Sequence, residues 1–319
     1  MKNTQIVTQE STMILPAARL ADLLQPFGDA LTLRESAGEI SANTRAAYLR
    51  GAEKFLTWCE QNASGLETPD AVRSWKAALL SAGYKPATIN AWLAGVKALG
   101  AWAQESRKLP YNPMAGTKGA TRKGTNKHHE RESLTSDEAR RLLAITDVTT
   151  ATGKRDAAII ALMLFTGLRT VEVYRADIAD LATRGGRLVL MVQGKGHAEK
   201  DDFVILTGEA DDKIRSWLAA RGSKPGPLFV SLSNRSTFER LSLRALRDLV
   251  GREMRAAGVV GNKTTHSLRH TAISTVARKA GVVKASKLAR HASIETTMIY
   301  IHELDRMTDP AEGYITYDD

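Results

Sequence analysis

Near residue 110 this sequence stops being able to continue any one element. Pro110, Pro113 and Gly116 close a helical stretch, and Lys118 to Arg131 then carries Lys118, Arg122, Lys123, Lys127 and Arg131 with Gly119 and Gly124. Such a segment supplies no apolar face to a core, so the chain must fold as two bodies joined through it. With 319 residues, each body has enough chain to bury a core. The expected division is a loose tail over 1–16, a helical domain over 17–116, a basic linker over 117–132, a second domain over 133–302 and an acidic tail over 303–319. The linker reads either as a solvated spacer or as a strap along a phosphate backbone. His128-His129 has no further metal-type spacing around it and is read as linker.

The first body reads as all-helical. Leu20, Leu23, Leu24, Phe27 and Leu31 mark a helix from Ala17 to about Ala37, with Pro26 and Gly28 expected to interrupt it. Ser41 to Thr44 offers cap residues ahead of Tyr48, Ala52, Phe55, Leu56 and Cys59 at helical spacing. Thr68-Pro69 starts a short helix with Val72, Trp75 and Leu79 on its buried side. Thr88 is expected to open another, with Ile89, Trp92, Leu93, Val96 and Leu99 on one stripe. Trp58, Trp75 and Trp92 are read as filling a small core rather than stacking on bases.

The second body mixes helices with a hairpin. Leu134-Thr-Ser-Asp-Glu138 is a capping box. An apolar helix from Ala157 to Phe165 stops at Thr166-Gly167. Arg187–Val192 and Phe203–Leu206 read as two strands, and the polar, glycine-bearing loop between them makes them a hairpin. Helices follow near 209–220, from Ser242 to about Ala257, and on through 300. Leu243, Leu246, Val250 and Met254 are expected to form the buried stripe of the 242–257 helix, with Arg244 on another face and Arg247 at the border. The fold class is therefore mainly α with a small antiparallel β-sheet (α+β).

Charge and cysteine usage narrow the partners. There are 45 Lys and Arg against 35 Asp and Glu, a net charge of +10. This balance favours an acidic polymer, nucleic acid first, over other partners, although a merely soluble basic protein has the same charge. One cysteine, Cys59, excludes an internal disulfide framework and fits a reducing compartment. No apolar run reaches membrane-spanning length and no signal pattern opens the chain, so a cytoplasmic, nucleoid-associated protein is expected.

Several residues then suit chemistry at a phosphate. His266 and Arg269 stand three apart in Thr-Thr-His-Ser-Leu-Arg-His-Thr, on one face of a helix. A guanidinium grips two phosphate oxygens and an imidazole shares or moves a proton. Arg169 in Thr166-Gly-Leu-Arg-Thr-Val-Glu172 is a second permanent cation, and Glu172 can brace the cluster. Lys195, between two glycines in the hairpin loop, can carry a proton to a leaving oxygen. His291 and Tyr300 follow, the phenol being a possible nucleophile if a cationic pocket or a base activates it. Each has a plainer reading: a helical ion pair for Arg169 and Glu172, a solvated turn for Lys195, packing with Ile299 and Ile301 for Tyr300. His266 and His270 have the four-residue spacing of zinc helices, but the intervening Ser-Leu-Arg lacks a glutamate and places a cation at the site, so no metal is expected. Thr152-Gly-Lys154 and Gly194-Lys-Gly196 lack the full nucleotide-phosphate loop pattern, so no nucleotide cofactor is expected.

Taken in order, the Thr-Gly-Leu-Arg-Thr-Val-Glu segment, the Gly-Lys-Gly hairpin, His-Ser-Leu-Arg-His-Thr and His291 followed nine residues later by Tyr300 resemble the tyrosine site-specific recombinases, the family of phage integrases, Xer resolvases and Cre. The motifs cover about 130 to 302; before that the resemblance rests on architecture, a helical SAM-like core-binding domain followed by a basic linker. It implies that Arg169 is the first catalytic arginine, Glu172 the acidic residue after it, and Lys195 the proton donor to the leaving 5′ oxygen. It implies that His266 and Arg269 are the His-x-x-Arg pair, that His291 holds the His/Trp position and that Tyr300 is the nucleophile. Such enzymes cut one strand at a time, form a 3′-phosphotyrosine and pass through a Holliday junction without ATP or metal. They act as four protomers on two double-stranded DNA sites built of inverted repeats. The alternatives are a nicking-closing enzyme of the type IB topoisomerase kind, and a DNA-binding factor that has kept the fold without turnover.

Leu241-Ser-Leu-Arg-Ala245 resembles the DNA-contacting helix of Cre. Arg244, and after it Arg247, are expected to read bases, and Arg122 and Lys123 to touch phosphates; a solvated helix face is the other reading of Arg244. The sequence departs from the family at Ala289-Arg290-His291, where many members have Leu-Gly-His. Arg290 stands where a glycine would allow a left-handed turn. Either the turn is built differently, or Arg290 adds a phosphate contact.

Overall fold

The structure is a computed structural model, and it describes residues 21–66, 69–121, 133–194, 199–233, 238–291 and 293–298. Arg122, Lys123, Lys195, Tyr300, the cap at Thr68 and the tails at 1–16 and 303–319 lie outside the described residues. The chain divides into two compact units, 1–125 and 126–319.

The first unit is built of α1 (Leu24–Ser36), α2 (Ala42–Gln61), α3 (Pro69–Ser81) and α4 (Pro86–Glu105). Pro26 and Gly28 do not interrupt α1, contrary to expectation. Pro26 is its third residue, where the backbone N–H has no carbonyl partner within the helix, so the missing donor costs nothing. Ser41 caps α2, its Oγ accepting from the Thr44 N–H at 3.1 Å. Helix α4 starts at Pro86, ahead of the expected Thr88, because proline is pre-set for the first helical position and Lys85 before it is extended. Trp75 is buried with its ring 5.2 Å from that of Phe55. Trp58 and Trp92 are half-buried against the same core. Helices α2 and α4 approach until backbone meets backbone. A Cβ on Gly51 would stand 2.3 Å from the Trp92 carbonyl oxygen, and one on Gly95 would stand 2.3 Å from that of Tyr48.

The second unit begins with α5 (Ser136–Ala144), held by the expected capping box: Thr135 Oγ1 accepts from the Glu138 N–H and Glu138 accepts from the Thr135 N–H. Helix α6 (Ala151–Thr166) starts before its apolar run, capped by Thr150, and ends at Gly167 in a left-handed conformation (φ 64°). Then come α7 (Thr170–Arg175), β1 (Leu181–Arg184), β2 (Arg187–Val192), β3 (Asp202–Ile205), α8 (Glu209–Arg221), α9 (Leu243–Ala256), α10 (Thr265–Ala289) and α11 (Glu295–Met298). The sheet is antiparallel in the order β1-β2-β3. Strand β1 was not among the expected elements. It joins β2 through Gly185-Gly186, both at positive φ (55° and 74°), the geometry that a two-residue hairpin of matching twist demands.

The core centres on α6, whose Ile159, Ile160, Leu162 and Met163 pack with Trp217, Leu246 and Leu268. On α9 the buried residues are Leu246, Leu249, Val250 and Met254; Leu249 takes the place expected for Leu243, which is half-buried. Helix α10 is two arms rather than one rod, since Gly281 within it has φ 82° and ψ 164°. Among the described residues no helix is long and apolar enough to cross a membrane.

Candidate active site

Four of the residues singled out from the sequence meet in one network. Arg169 is the last residue before α7, and Glu172 is in the first turn of that helix. Glu172 is buried, and its carboxylate accepts from the Arg169 backbone N–H at 2.7 Å and from Arg169 Nη1 at 2.9 Å. The ion pair and the brace are thus the same contact, and the carboxylate fixes both the start of α7 and the guanidinium on it. Arg269, on the first arm of α10, is 1% exposed. Its guanidinium donates to the carbonyl oxygens of Gly167 and Ala289, and Nη2 lies 3.1 Å from His291 Nε2.

The partners of His291 fix its tautomer. A guanidinium can only donate, so Nε2 accepts and Nδ1 carries the proton, donating to Thr297 Oγ1 at 2.8 Å. Burial first, and then the charges of Arg269, Arg169 and Arg290, hold the imidazole at about 4, below its ordinary 6.5. The ring is therefore neutral at neutral pH.

His266 sits in the first turn of α10, which Thr264 caps, and its ring lies edge-on to that of His270 with centroids 5.7 Å apart. With Arg169, Thr170, Arg247, Lys263 and Thr265 it lines a cleft of about 560 Å³. An open, cation-lined cleft of this kind suits a phosphate better than an apolar ligand. Arg247 therefore stands beside Arg169 and His266, whereas Arg244 projects from α9 with 93% of its side chain exposed and an ion pair to Asp248 at 3.6 Å. The Lys263 ammonium is buried in a pair with Glu138 at 2.7 Å, which ties the loop before α10 to the start of α5.

Arg290 answers the question raised by the missing glycine. The turn is left-handed after all, with φ 53° and ψ 49° at Arg290 itself. This conformation costs a residue with a Cβ about 1–2 kcal/mol. Its guanidinium goes to carboxylates: Nη2 to Glu172 Oε2 at 2.7 Å and Nε to Asp202 Oδ2 at 3.3 Å. The second of these is an ion pair rather than an aligned hydrogen bond. Sequence reasoning missed Thr297 and Asp202 as members of the cluster. Neither stands at a telling spacing from another site residue, so no sequence signal pointed to them.

Residues 33–106 match the phage integrase N-terminal SAM-like domain, and residues 132–307 match the phage integrase family. A tyrosine recombinase of Synechococcus elongatus is 30% identical over 276 residues, covering 82% of this chain and 84% of its own length. The tyrosine recombinase XerC of Mycobacterium leprae is 29% identical over 293 residues, covering 88% of this chain and 94% of its own. Among solved structures, a lambda integrase tetramer bound to a Holliday junction superposes with a TM-score of 0.68 at 16% identity, over 94% of this chain and 81% of that one. XerH bound to a palindromic difH substrate after cleavage does so with a TM-score of 0.63 at 17% identity, over 95% and 98%. At these identities the structural likenesses show the fold, and the sequence matches show the rest: this chain belongs to the phage integrase family of tyrosine recombinases.

Proposed function

We propose that the protein is a site-specific recombinase whose reaction centre is formed by Arg169, Glu172, Lys195, His266, Arg269, His291 and Tyr300. Arg169 and Arg269 hold the non-bridging oxygens of one DNA phosphate, where negative charge builds during transfer. Tyr300 passes its phenolic proton to His266 as its oxygen attacks phosphorus, a 3′-phosphotyrosine bond forms, and the bond to the 5′ oxygen breaks. Lys195 gives that oxygen its proton, so a free 5′-hydroxyl leaves. The reverse step, with the 5′-hydroxyl of a partner strand, rejoins DNA in a new pairing and yields a Holliday junction. One phosphodiester is exchanged for another, so the chemistry needs neither ATP hydrolysis nor a metal ion.

The observation that supports this reading is the junction of Arg169, Glu172, Arg269 and His291, brought from the loop before α7, α7 itself, the first arm of α10 and the turn beyond its second arm. Glu172 braces, and neutral His291 accepts from Arg269 rather than competing with it for the phosphate. The partner in this reading is double-stranded DNA carrying inverted repeats, bound by two domains joined through the 117–132 linker. Four protomers act on two such sites, with the acidic 303–319 tail docking on a neighbour. The place of action is the cytoplasm, on the nucleoid.

The test uses a nicked suicide duplex carrying the sequence that footprinting of the full chain protects. Wild type should accumulate a covalent protein–DNA adduct, and Tyr300→Phe should bind the duplex without forming one. An adduct that persists in Tyr300→Phe moves the nucleophile elsewhere. Relaxation of supercoiled plasmids that lack the site would mark a nicking-closing enzyme instead.

A further inference from the structure

We propose that Arg290 is a positioning residue for this active site, a cross-brace that sets Glu172, and through it Arg169, against strand β3. The inference rests on the recombinase reading and adds to it a residue at a position where the sequence pattern leads one to expect only a glycine. Three observations carry it. The first is backbone: Arg290 adopts a left-handed conformation that glycine would adopt without strain, so the side chain is kept despite a conformational cost. The second is where the guanidinium goes. Its side chain is 10% exposed, and it reaches Glu172 Oε2 at 2.7 Å and Asp202 Oδ2 at 3.3 Å. Engaged in this way, it is turned to carboxylates rather than to a substrate phosphate, so it is not itself a catalytic group.

The third observation is how Glu172 is satisfied. Its side chain is 1% exposed, and its two oxygens divide the work. Oε1 holds Arg169 Nη1, while Oε2 holds the Arg169 backbone N–H and Arg290 Nη2. A buried carboxylate held by three donors across its two oxygens is rigid. Removing Arg290 leaves Oε2 with one backbone donor, so the carboxylate can rotate and carry the Arg169 guanidinium with it. A displacement of this order at a phosphate-gripping group is enough to slow transfer while leaving DNA affinity to the many other phosphate contacts.

The experiment compares Arg290→Gly, Arg290→Lys and Asp202→Asn as full-length proteins on the suicide duplex, measuring the single-turnover cleavage rate at saturating protein separately from the Kd for the same DNA. Glycine frees the turn and removes the guanidinium, so Arg290→Gly separates the two roles of the residue. The expected result is a cleavage rate at least ~10-fold lower with Kd within about twofold of wild type, a shift consistent with loss of an interaction that orients the reacting groups. Lysine keeps one charge but cannot span both carboxylates, so Arg290→Lys should recover part of the rate. Asp202→Asn should slow cleavage less than Arg290→Gly does. Combining Arg290→Gly with Glu172→Gln should cost less than the product of the single effects, because both act on one carboxylate.

A wild-type rate in Arg290→Gly would overturn the proposal and make Arg290 a tolerated turn residue. Parallel loss of thermal stability, DNA binding and cleavage in all three variants would also overturn it, as a purely structural role. Failure of the recombinase reading looks different, since wild type itself would then form no adduct.

Discussion

At the scale of single residues, the site is governed by what surrounds each charge. His291 is partly buried and surrounded by the charges of Arg269, Arg169 and Arg290, so its proton affinity is low, at about 4. Above pH ~6.5 the ring is neutral in folded and unfolded chains alike, and it makes no pH-dependent contribution. Between ~6.5 and about 4 the unfolded chain takes up a proton that the folded one refuses, so stability falls as pH falls; below about 4 the slope vanishes. Glu138 continues the trend. Burial raises its pKa, but Lys263 and the backbone N–H groups of Thr135 and Val260 outweigh that and hold it at about 2, so it withdraws stability between ~4.5 and about 2. Thermal melts should therefore weaken steadily from pH 6.5 downward, and the His291 ring should titrate near 4 when followed by NMR. A His291 resonance titrating near 6.5 would mean that the ring is not buried among the arginines as described. Arg169, Glu172, Arg269 and His291 were legible because each belongs to a short motif whose residue types suit one chemistry. Thr297 and Asp202 were not, because a lone threonine or aspartate becomes significant only through the tertiary contact that the fold makes.

At the scale of elements, local sequence rules worked where a cap or a breaker decides the outcome, and failed where position within an element matters. Ser41, Thr135, Ser242 and Gly167 mark helix ends in both sequence and structure. Pro26 misled because a proline is read as a breaker unless the helix start is already known to lie just before it. Strand β1 is short and only half-buried, so its four residues carry no period strong enough to read. The α2–α4 contact was illegible as well, since glycines inside helices usually weaken them and here they permit the approach. Gly51→Ala should destabilise the first unit by at least about 1–3 kcal/mol, the range for forcing a methyl into a packed interior. Because the obstacle is the Trp92 carbonyl rather than a movable side chain, the upper end is expected. Chemical denaturation of the full chain, with the tryptophans of that unit as probe, checks it.

At the scale of the whole molecule, sequence alone divided the chain in two and indicated mixed α+β character in the second half, because composition changes abruptly where the elements stop. It named Arg169, Arg269 and Lys195 for the reaction but did not say which arginine of the 242–257 helix would line the cleft with Arg169. Arg247 proves to line the cleft beside Arg169, while Arg244 stands clear of it on the exposed face of α9. Arg244 is thus the better candidate for base readout. Arg244→Ala should weaken binding to the footprinted site by ~1–3 kcal/mol while leaving binding to unrelated DNA nearly unchanged, measured by titration at fixed salt. Equal loss on both DNAs would make it a phosphate contact.

The backbone at Gly281 has a geometric consequence. A straight helix rises ~1.5 Å per residue, so Arg269 and the Ala289 carbonyl, twenty positions apart, would be separated by ~30 Å on an unbroken rod. Instead the guanidinium of one holds the oxygen of the other. The Arg269–His291 cluster is therefore closed by a turn in the chain's path at Gly281, a residue outside the cluster itself. Arg269 and the His291 that follows it come within 3.1 Å of each other only because the segment between them folds back on itself there.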